Sequence, residues 1–296
     1  MKLNPSFIKN IHATYGQEGI TWLSNLPAHL KTLSAQWNLK ILHPVKDISY
    51  NFVAVVQWQS QLAILKTAPA AAQLMAEAEW LDAHTKSVPS IFHLDKKNNA
   101  YLMEKFEPGT SLKHLVKEGH DEKATRIIAQ VILDLQSADT LHQKMNYQHI
   151  SEHISAFAFL RGHLDTHVIE HAESIFKELC ADCSHDIILH GDLHHDNILQ
   201  SGTSWCVIDP HGYIGNPCAE IGPMVFNPLD CFPKHSLKNT VEARLNVLAE
   251  MLPFDLQHIK AWAFCLALRS AAWDIEGFNS PNNHTIEIAR ILYETI

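Results

Sequence analysis

The sequence has no basic surplus. Its 23 lysine and arginine residues face 32 acidic ones, for a formal charge of −9. A protein that tracks a phosphate backbone needs the opposite balance, so nucleic acid is excluded as the expected partner. Long apolar runs are missing too: nowhere do about 18 apolar residues follow one another, which excludes a helical membrane span. The opening MKLNPSFIKNIHATYG has neither a signal-peptide apolar segment nor a small-residue cleavage site, and the expectation is a cytoplasmic protein. Internal repeats and low-complexity tracts are absent. Cysteine is scarce, six in 296 residues, which predicts reduced thiols rather than a disulfide framework. Cys180 and Cys183 form a C-x-x-C, yet Cys206, Cys218, Cys231 and Cys265 offer no second pair at comparable spacing, leaving a structural zinc set incomplete.

What is present is an ordinary globular composition, 46% hydrophobic, in a chain long enough to bury a sizeable core. Residues 1–35 read as a helical preface broken at Pro5 and Pro27. From Ile48 to Lys66 the chain turns β-rich, and Gln59-Ser60-Gln61 marks a hairpin between Phe52–Trp58 and Leu62–Leu65. An Ala- and Glu-rich helix is predicted from Ala70 to His84. A second hairpin follows through Ile91–Leu94, Lys96–Asn99 and Ala100–Phe106, and Pro108-Gly109 then breaks the chain. Beyond this point helical spacing dominates, with Ala124, Ile127, Ile128, Val131 and Leu135 on one face. Ile259, Trp262, Ala263, Leu266, Ser270 and Trp273 make another. One β-rich island interrupts the helices: Ile187–Leu189, Ile198–Gln200 and Trp205–Ile208. The expected fold is α+β and two-lobed around a cleft, with lobes at 1–105 and 106–296.

The chemistry concentrates in His190-Gly191-Asp192-Leu193-His194-His195-Asp196-Asn197. Asp192 and Asn197 stand five residues apart, the separation of Asp and Asn in the kinase catalytic loop H-R-D-x-x-x-x-N. In that loop the Asp faces the acceptor hydroxyl while the Asn reaches back to magnesium, so both must ride on one rigid segment. A further strand then delivers Asp209, in Ile208-Asp209-Pro210, where the kinase scheme has its second metal-binding carboxylate. Set against this, a polar loop between buried strands uses Asp and Asn for turn hydrogen bonds alone. Upstream, Ala63-Ile64-Leu65-Lys66 matches the V-A-I-K strand, whose lysine contacts ATP phosphates and pairs with a helical glutamate. Glu77 is favoured as that partner and Glu79 held in reserve, because positions two apart cannot both face Lys66. His190 and His194 have the i, i+4 spacing of a zinc helix, with His195 beside them. Gly191 and the absence of the motif's Glu speak against a helix there. His190 is expected to brace the loop as a buried neutral imidazole.

The run HGDLHHDNIL followed by IDPHGYIGNPCAE resembles the aminoglycoside phosphotransferase superfamily. Gly215-Asn216-Pro217 leading to Glu220, then Asn227-Pro228, is similar to its streptomycin-kinase branch, the aminoglycoside and hydroxyurea resistance kinases. The likeness follows the order of motifs over residues 45–280 and is tight in 187–228. It implies a protein-kinase-like fold and an ATP- and Mg2+-dependent transfer to a hydroxyl of an aminoglycoside-like or other amino-sugar or aminocyclitol acceptor. Asp192 is then the catalytic residue, and Asn197 and Asp209 the magnesium ligands. Lys66 is the phosphate-binding lysine, and Leu102–Phe106, with Glu104 and Phe106, the segment that meets the nucleotide base. The Ile48–Val56 hairpin departs from the kinase pattern in having no glycine.

Two rivals stand beside this reading. A ketosamine kinase shares the Asp-Pro metal motif, but His194-His195 stands where that branch carries a Trp and small residues. A nucleotide-binding pseudokinase without turnover is opposed by the joint presence of Lys66, Asp192, Asn197 and Asp209. The acceptor is expected to be cationic or polyhydroxylated and to meet Glu220, Asp230, Asp274 and Glu276 of the helical half; the alternative is that these are solvated surface acids.

Overall fold

The structure is a computed structural model that describes residues 3–46, 48–137, 147–232, 236–278 and 280–296. It divides into two compact units, Met1–Ala83 with Val88–Glu107, and His84–Ser87 with Pro108–Ile296.

In the first unit, α1 (Pro5–Gln36) starts where the Asn4 side chain accepts the Ser6 N–H at 3.0 Å, with Pro5 in the first turn where its missing N–H costs nothing. The predicted break at Pro27 is not there. Pro27 lies inside the helix, and the non-helical residue is Gly16 (φ 52°, ψ −131°). Leu26 and Leu30 are buried on either side of Pro27, and their packing offsets the hydrogen bond it removes. Strands β1 (Leu39–Pro44), β2 (Phe52–Trp58) and β3 (Gln61–Thr67) follow, then α2 (Leu74–Ala83), β4 (Ile91–Asp95) and β5 (Ala100–Glu104). The five strands form one antiparallel sheet in the order β1-β2-β3-β5-β4. Phe7, Ile11, Leu26, Leu30 and Leu33 of α1 join Phe52, Ala54, Val56, Ala63 and Leu65 in one buried cluster. The glycine-free stretch Ile48–Val56 runs into β2, whereas the turn over Gln59 and Ser60, with Gln59 at φ 51°, closes the next hairpin, β2–β3.

Pro108-Gly109 does not simply break the chain, because Pro108–Ser111 forms strand β6. The second unit continues with α3 (Lys113–Lys117), α4 (Asp121–Gln136), β7 (Gln148–His149), a 3-10 helix (Ile150–Leu160), α5 (Thr166–Leu179) and β8 (Ile187–Leu189). A short 3-10 turn (His195–Asn197) leads into β9 (Ile198–Ser201), β10 (Ser204–Val207) and β11 (Tyr213–Gly215). A 3-10 helix (Pro217–Ile221) then precedes α6 (Gly222–Phe226), α7 (Leu237–Met251), α8 (Leu256–Phe278) and α9 (Asn283–Tyr293). The β-rich island is not one sheet. β9 pairs with β10 and β6, whereas β8 pairs with β11, which also pairs with β7. The segment between β8 and β9 therefore hangs between two small sheets, fixed at both ends. Helix α8 packs against α5, α9 and the Ile150–Leu160 helix, and its Ile259, Trp262, Ala263 and Leu266 are buried.

Candidate active site

Residues 190–197 are held from below by one side chain. Glu220, 3% exposed, accepts the His190 N–H at 2.8 Å on Oε2 and the Gly191 N–H at 2.9 Å on Oε1. It is presented by the 3-10 helix that follows β11, whose start is capped by Asn216 Oδ1 accepting the Cys218 N–H at 2.9 Å. Burial pushes the Glu220 carboxyl up to about 7, against the pull of the two N–H donors. Gly191 sits at φ +81°, and a Cβ there would collide with the Tyr213 ring, so both backbone and packing require glycine. His190 is fully buried. Its Nε2 lies 2.9 Å from the Ile208 carbonyl and its Nδ1 accepts the Asp192 N–H at 3.3 Å. A ring that donates at Nε2 and accepts at Nδ1 is neutral, and burial holds His190 down to about 4. The His190 carbonyl accepts the N–H of His211 at 2.8 Å, tying the loop to the turn after Asp209.

On this base Asp192 and Asn197 meet. Asn197 Nδ2 donates to the Asp192 carbonyl at 2.9 Å and to Asp192 Oδ2 at 3.0 Å. His194 Nε2 and His211 Nε2 lie 3.5 and 3.8 Å from the same carboxylate oxygen. Burial opposes the Asp192 charge, but the His194 hydrogen bond and the charges of His194 and His211 outweigh it and hold the group at about 2. His194 is raised in return: burial lowers it and Asp192 more than restores it. The Asn197 carbonyl accepts the Ile208 N–H at 3.0 Å, so β10 runs out beside the loop and delivers Asp209. Asp209 has φ 60°, an uncommon backbone for a residue other than glycine and one that clusters at functional sites.

With its amide nitrogen committed to Asp192, Asn197 offers its carbonyl oxygen, and Asp209 adds a carboxylate. These are hard oxygen donors of the kind Mg2+ takes. In the first unit, Lys66 Nζ lies 2.6 Å from Glu77 Oε1, both are buried, and Tyr101 donates its hydroxyl to the same oxygen at 2.6 Å. Glu79 pairs with Lys96 instead. Glu104 closes β5, with its N–H on the Ser90 carbonyl at 2.9 Å and its Oε2 accepting the Ser90 N–H at 3.2 Å. Phe106 is buried just beyond.

The four acids expected at the acceptor are not brought together. Glu220 spends both oxygens on the loop backbone. Asp230 pairs with Lys113 at 2.8 Å and approaches Lys117 at 3.9 Å. Asp274 accepts the Asn282 N–H at 3.3 Å, joining the end of α8 to the start of α9, and Glu276 is exposed. Nor do His190, His194 and His195 converge on a metal, because His190 faces the Ile208 carbonyl and His195 is fully buried. Among the described residues, Cys183 of the C-x-x-C meets His149 and Asp186, which no count of cysteines reveals. His149 accepts the Ser151 N–H on Nδ1 at 3.2 Å and faces Asp186 with Nε2 at 2.8 Å. Its tautomer therefore keeps the proton on Nε2, and the pair is satisfied as a hydrogen bond.

Residues 37–277 match the family described as aminoglycoside/hydroxyurea antibiotic resistance kinase. The chain belongs to this family. It is accordingly a kinase, with a two-lobed, protein-kinase-like α+β fold. It is 24% identical over 271 residues to a streptomycin 6-kinase of Streptomyces glaucescens, covering 88% of this chain and 87% of that one. A streptomycin 3''-kinase of Klebsiella pneumoniae is 28% identical over 185 residues, 60% of this chain and 66% of that one. Among solved structures, a ternary complex of aminoglycoside phosphotransferase APH(4)-Ia with AMP-PNP and hygromycin B shares the fold. Its TM-score is 0.65 at 13% identity, over 90% of this chain and 97% of that one. A choline kinase of Streptococcus pneumoniae does so at TM-score 0.60 and 13% identity, over 89% and 95%. No helix among the described residues is long and apolar enough to cross a membrane.

Sequence reasoning missed His211, 3.8 Å from Asp192 Oδ2, and the group that adjoins it through Tyr213, His153 and Arg269. The signal for Arg269 was a charge set inside the apolar run Leu266–Trp273 of α8.

Proposed function

We propose that the protein transfers the γ-phosphoryl group of ATP to a hydroxyl of a small polyhydroxylated molecule, with Mg2+ as the metal. The observation that carries this reading is the Asp192–Asn197 pair: an ionised carboxylate locked to an amide on a loop that Glu220 holds rigid. The relatives' names support it, since two are streptomycin kinases that differ in the position phosphorylated.

Magnesium and ATP, when bound, supply a charge-neutralised phosphoryl group. Lys66, oriented by Glu77, would hold phosphate oxygens, and Asn197 and Asp209 would hold the metal. Asp192 accepts a hydrogen bond from the acceptor hydroxyl and aims its oxygen at phosphorus. As the new P–O bond forms and the bond to ADP breaks, the O–H proton passes to Asp192. A carboxylate held near 2 is a weak base, so its contribution is mainly orientation, with the proton moving late, as a loose phosphoryl transfer allows. The test is mass spectrometry of a panel of aminocyclitols, amino-sugars and neutral polyols incubated with protein, ATP and Mg2+. One compound gaining one phosphoryl group is expected. ATP consumption that is unchanged in Asp192→Asn would overturn the reading.

A further inference from the structure

The C-x-x-C of the sequence finds partners that are not cysteines. Among the described residues, Cys183 Sγ, His149 Nε2 and a carboxylate oxygen of Asp186 lie within 4.8 Å of one another. Three segments bring them there. His149 closes β7 and Ile188 lies in β8; both pair with Ile214 of β11, so the two outer strands of this sheet are in register. Asp186 stands just before β8, and its N–H donates to the Cys183 carbonyl at 3.3 Å, which brings the turn after α5 up to the sheet. His149 Nε2 faces Asp186 Oδ2 at 2.8 Å and Cys183 Sγ at 3.9 Å. All three residues belong to the second unit, at the end of β8 opposite to the 190–197 loop.

We infer that Cys183, His149 and Asp186 form a zinc-type metal site that shares no residue with the active site. Thiolate, imidazole and carboxylate make a donor set for zinc, whereas Mg2+ and Ca2+ take oxygen ligands. Zn–S of about 2.3 Å, with Zn–N and Zn–O of about 2.0–2.1 Å at tetrahedral angles, sets S···N at about 3.6 Å and N···O at about 3.3 Å. The observed 3.9 and 2.8 Å differ from these by about 0.3 and 0.5 Å, which small side-chain torsions absorb. The hydrogen bond between His149 and Asp186 and a metal ion are interchangeable, because the ion takes the place of the Nε2 proton. That proton moves to Nδ1, where Ser151 Oγ stands 2.6 Å away to accept it, in exchange for the Ser151 N–H bond. The Cys183 thiol releases its proton to solvent as the metal–sulfur bond forms. Cys180 is not among the converging atoms. Burial and Asp186 push its thiol up to about 12, and the Cys183 thiol is raised as well, so neither is the low-pKa thiolate of a redox C-x-x-C. Cys183 is exposed and leaves the fourth position to water. The ion would tie β7 to the end of α5 and to β8 across 34 and 37 residues of chain, bracing the strand that leads into the 190–197 loop.

The experiment is titration of the full chain, stripped with a chelator, with Co2+, whose near-ultraviolet charge-transfer band reports a thiolate ligand. Cobalt held by the oxygens of Asn197 and Asp209, or by histidines elsewhere, gives no such band. One equivalent should saturate the band, and zinc should displace the cobalt. Cys183→Ser should remove the band. Asp186→Asn and His149→Gln should each weaken cobalt binding at least tenfold, while Cys180→Ser should change neither band nor affinity. Zinc at a hundredfold excess over its Kd should raise Tm by about 5 °C in the parent and not in Cys183→Ser. Cys183 is exposed, so its serine variant keeps the fold, and thermal unfolding in chelator checks this for every variant. The absence of a thiolate band in the parent overturns the inference. So does a band that needs Cys180 but neither His149 nor Asp186, or an equal zinc shift of Tm in the parent and Cys183→Ser.

Discussion

Replacing Glu220 should separate the rigidity of the loop from its chemistry. The carboxylate accepts two backbone N–H bonds at 2.8 and 2.9 Å in a fully buried site. Each charge-assisted bond contributes about 1.5–3 kcal/mol. Against this stands the burial of the charge. Moving the carboxyl from its ordinary 4.5 to about 7 corresponds to about 3 kcal/mol. That figure already includes the two N–H bonds, so at pH 8 the charged group is a net burden, while Glu220→Ala leaves two buried N–H groups unsatisfied at about 1–3 kcal/mol each. The net change should lie between a gain of about 1 and a loss of about 3 kcal/mol, a fall in Tm of at most roughly 10 °C. The sign of the pH dependence is fixed by the direction of the shift. A carboxyl raised in the folded state keeps a proton that the unfolded chain has released, so its stabilising contribution is full below pH 4.5 and gone above about 7. Glu220→Gln cannot titrate. The parent should therefore lose about 3 kcal/mol relative to Glu220→Gln as pH rises through that window. The variant's amide also turns an N–H toward one backbone N–H and frees one end of the loop. A displacement on the order of 1 Å at Asp192 should then lower kcat about 10²-fold, with the KM for ATP little changed. Thermal unfolding of parent and variant from pH 4.5 to 8, with initial rates on a confirmed acceptor, tests both statements. Parallel Tm profiles together with a kcat within twofold of the parent would refute the reasoning.

Asp192→Asn should lower turnover about 10²–10⁴-fold and leave affinity for magnesium-AMP-PNP unchanged in calorimetry, because the proposed role sets Asp192 against the acceptor rather than the nucleotide; turnover within a factor of two sinks that role. Asp209→Ala should weaken nucleotide binding only when Mg2+ is present, and equal affinities with and without the metal would make it a structural strand-end residue. Glu77→Gln breaks the buried pair with Lys66, set at 2.6 Å, and should cost about 3–5 kcal/mol along with a raised KM for ATP. A Tm within 2 °C of the parent would show that Lys66 is held by other means.

The meeting of Asp192 and Asn197 was legible because its spacing is dictated by covalent reach: an Asp and an Asn five residues apart, with a strand leading to Asp209, tolerate little variation. Lys66 and Glu77 were legible for the same reason, since a strand end and a following helix leave few candidate partners. The acceptor side was not. Asp230 looked available in sequence but sits between Lys113 and Lys117, and Glu220 looked like a ligand group but lies under the loop. Whether a carboxylate faces solvent, lysine or backbone depends on long-range packing that local pattern does not encode. Strand pairing was not legible either. Ile187–Leu189 and Ile198–Leu199 read as one island, but β-propensity does not say which strands are neighbours, and they joined different sheets. Pro27 misled because propensity counts the lost hydrogen bond and ignores the tertiary burial of Leu26 and Leu30.

Helix α1 bears on how the chain can be trimmed. The family match begins at residue 37, one position after α1 ends, so an alignment invites the removal of everything before it. Yet Phe7, Ile11, Leu26, Leu30 and Leu33 cover the side of the sheet that carries Phe52, Val56 and Leu65. Each such side chain contributes about 1.5–3 kcal/mol by leaving water, so the five together rival the entire stability of an average domain. A chain starting at residue 37 should keep every residue assigned to chemistry and still be recovered as aggregate, its uncovered sheet face offering an adhesive patch. Expression of the two lengths side by side, read by the soluble fraction, would settle whether α1 is an ornament of this branch or the cover without which the first unit cannot stay dissolved.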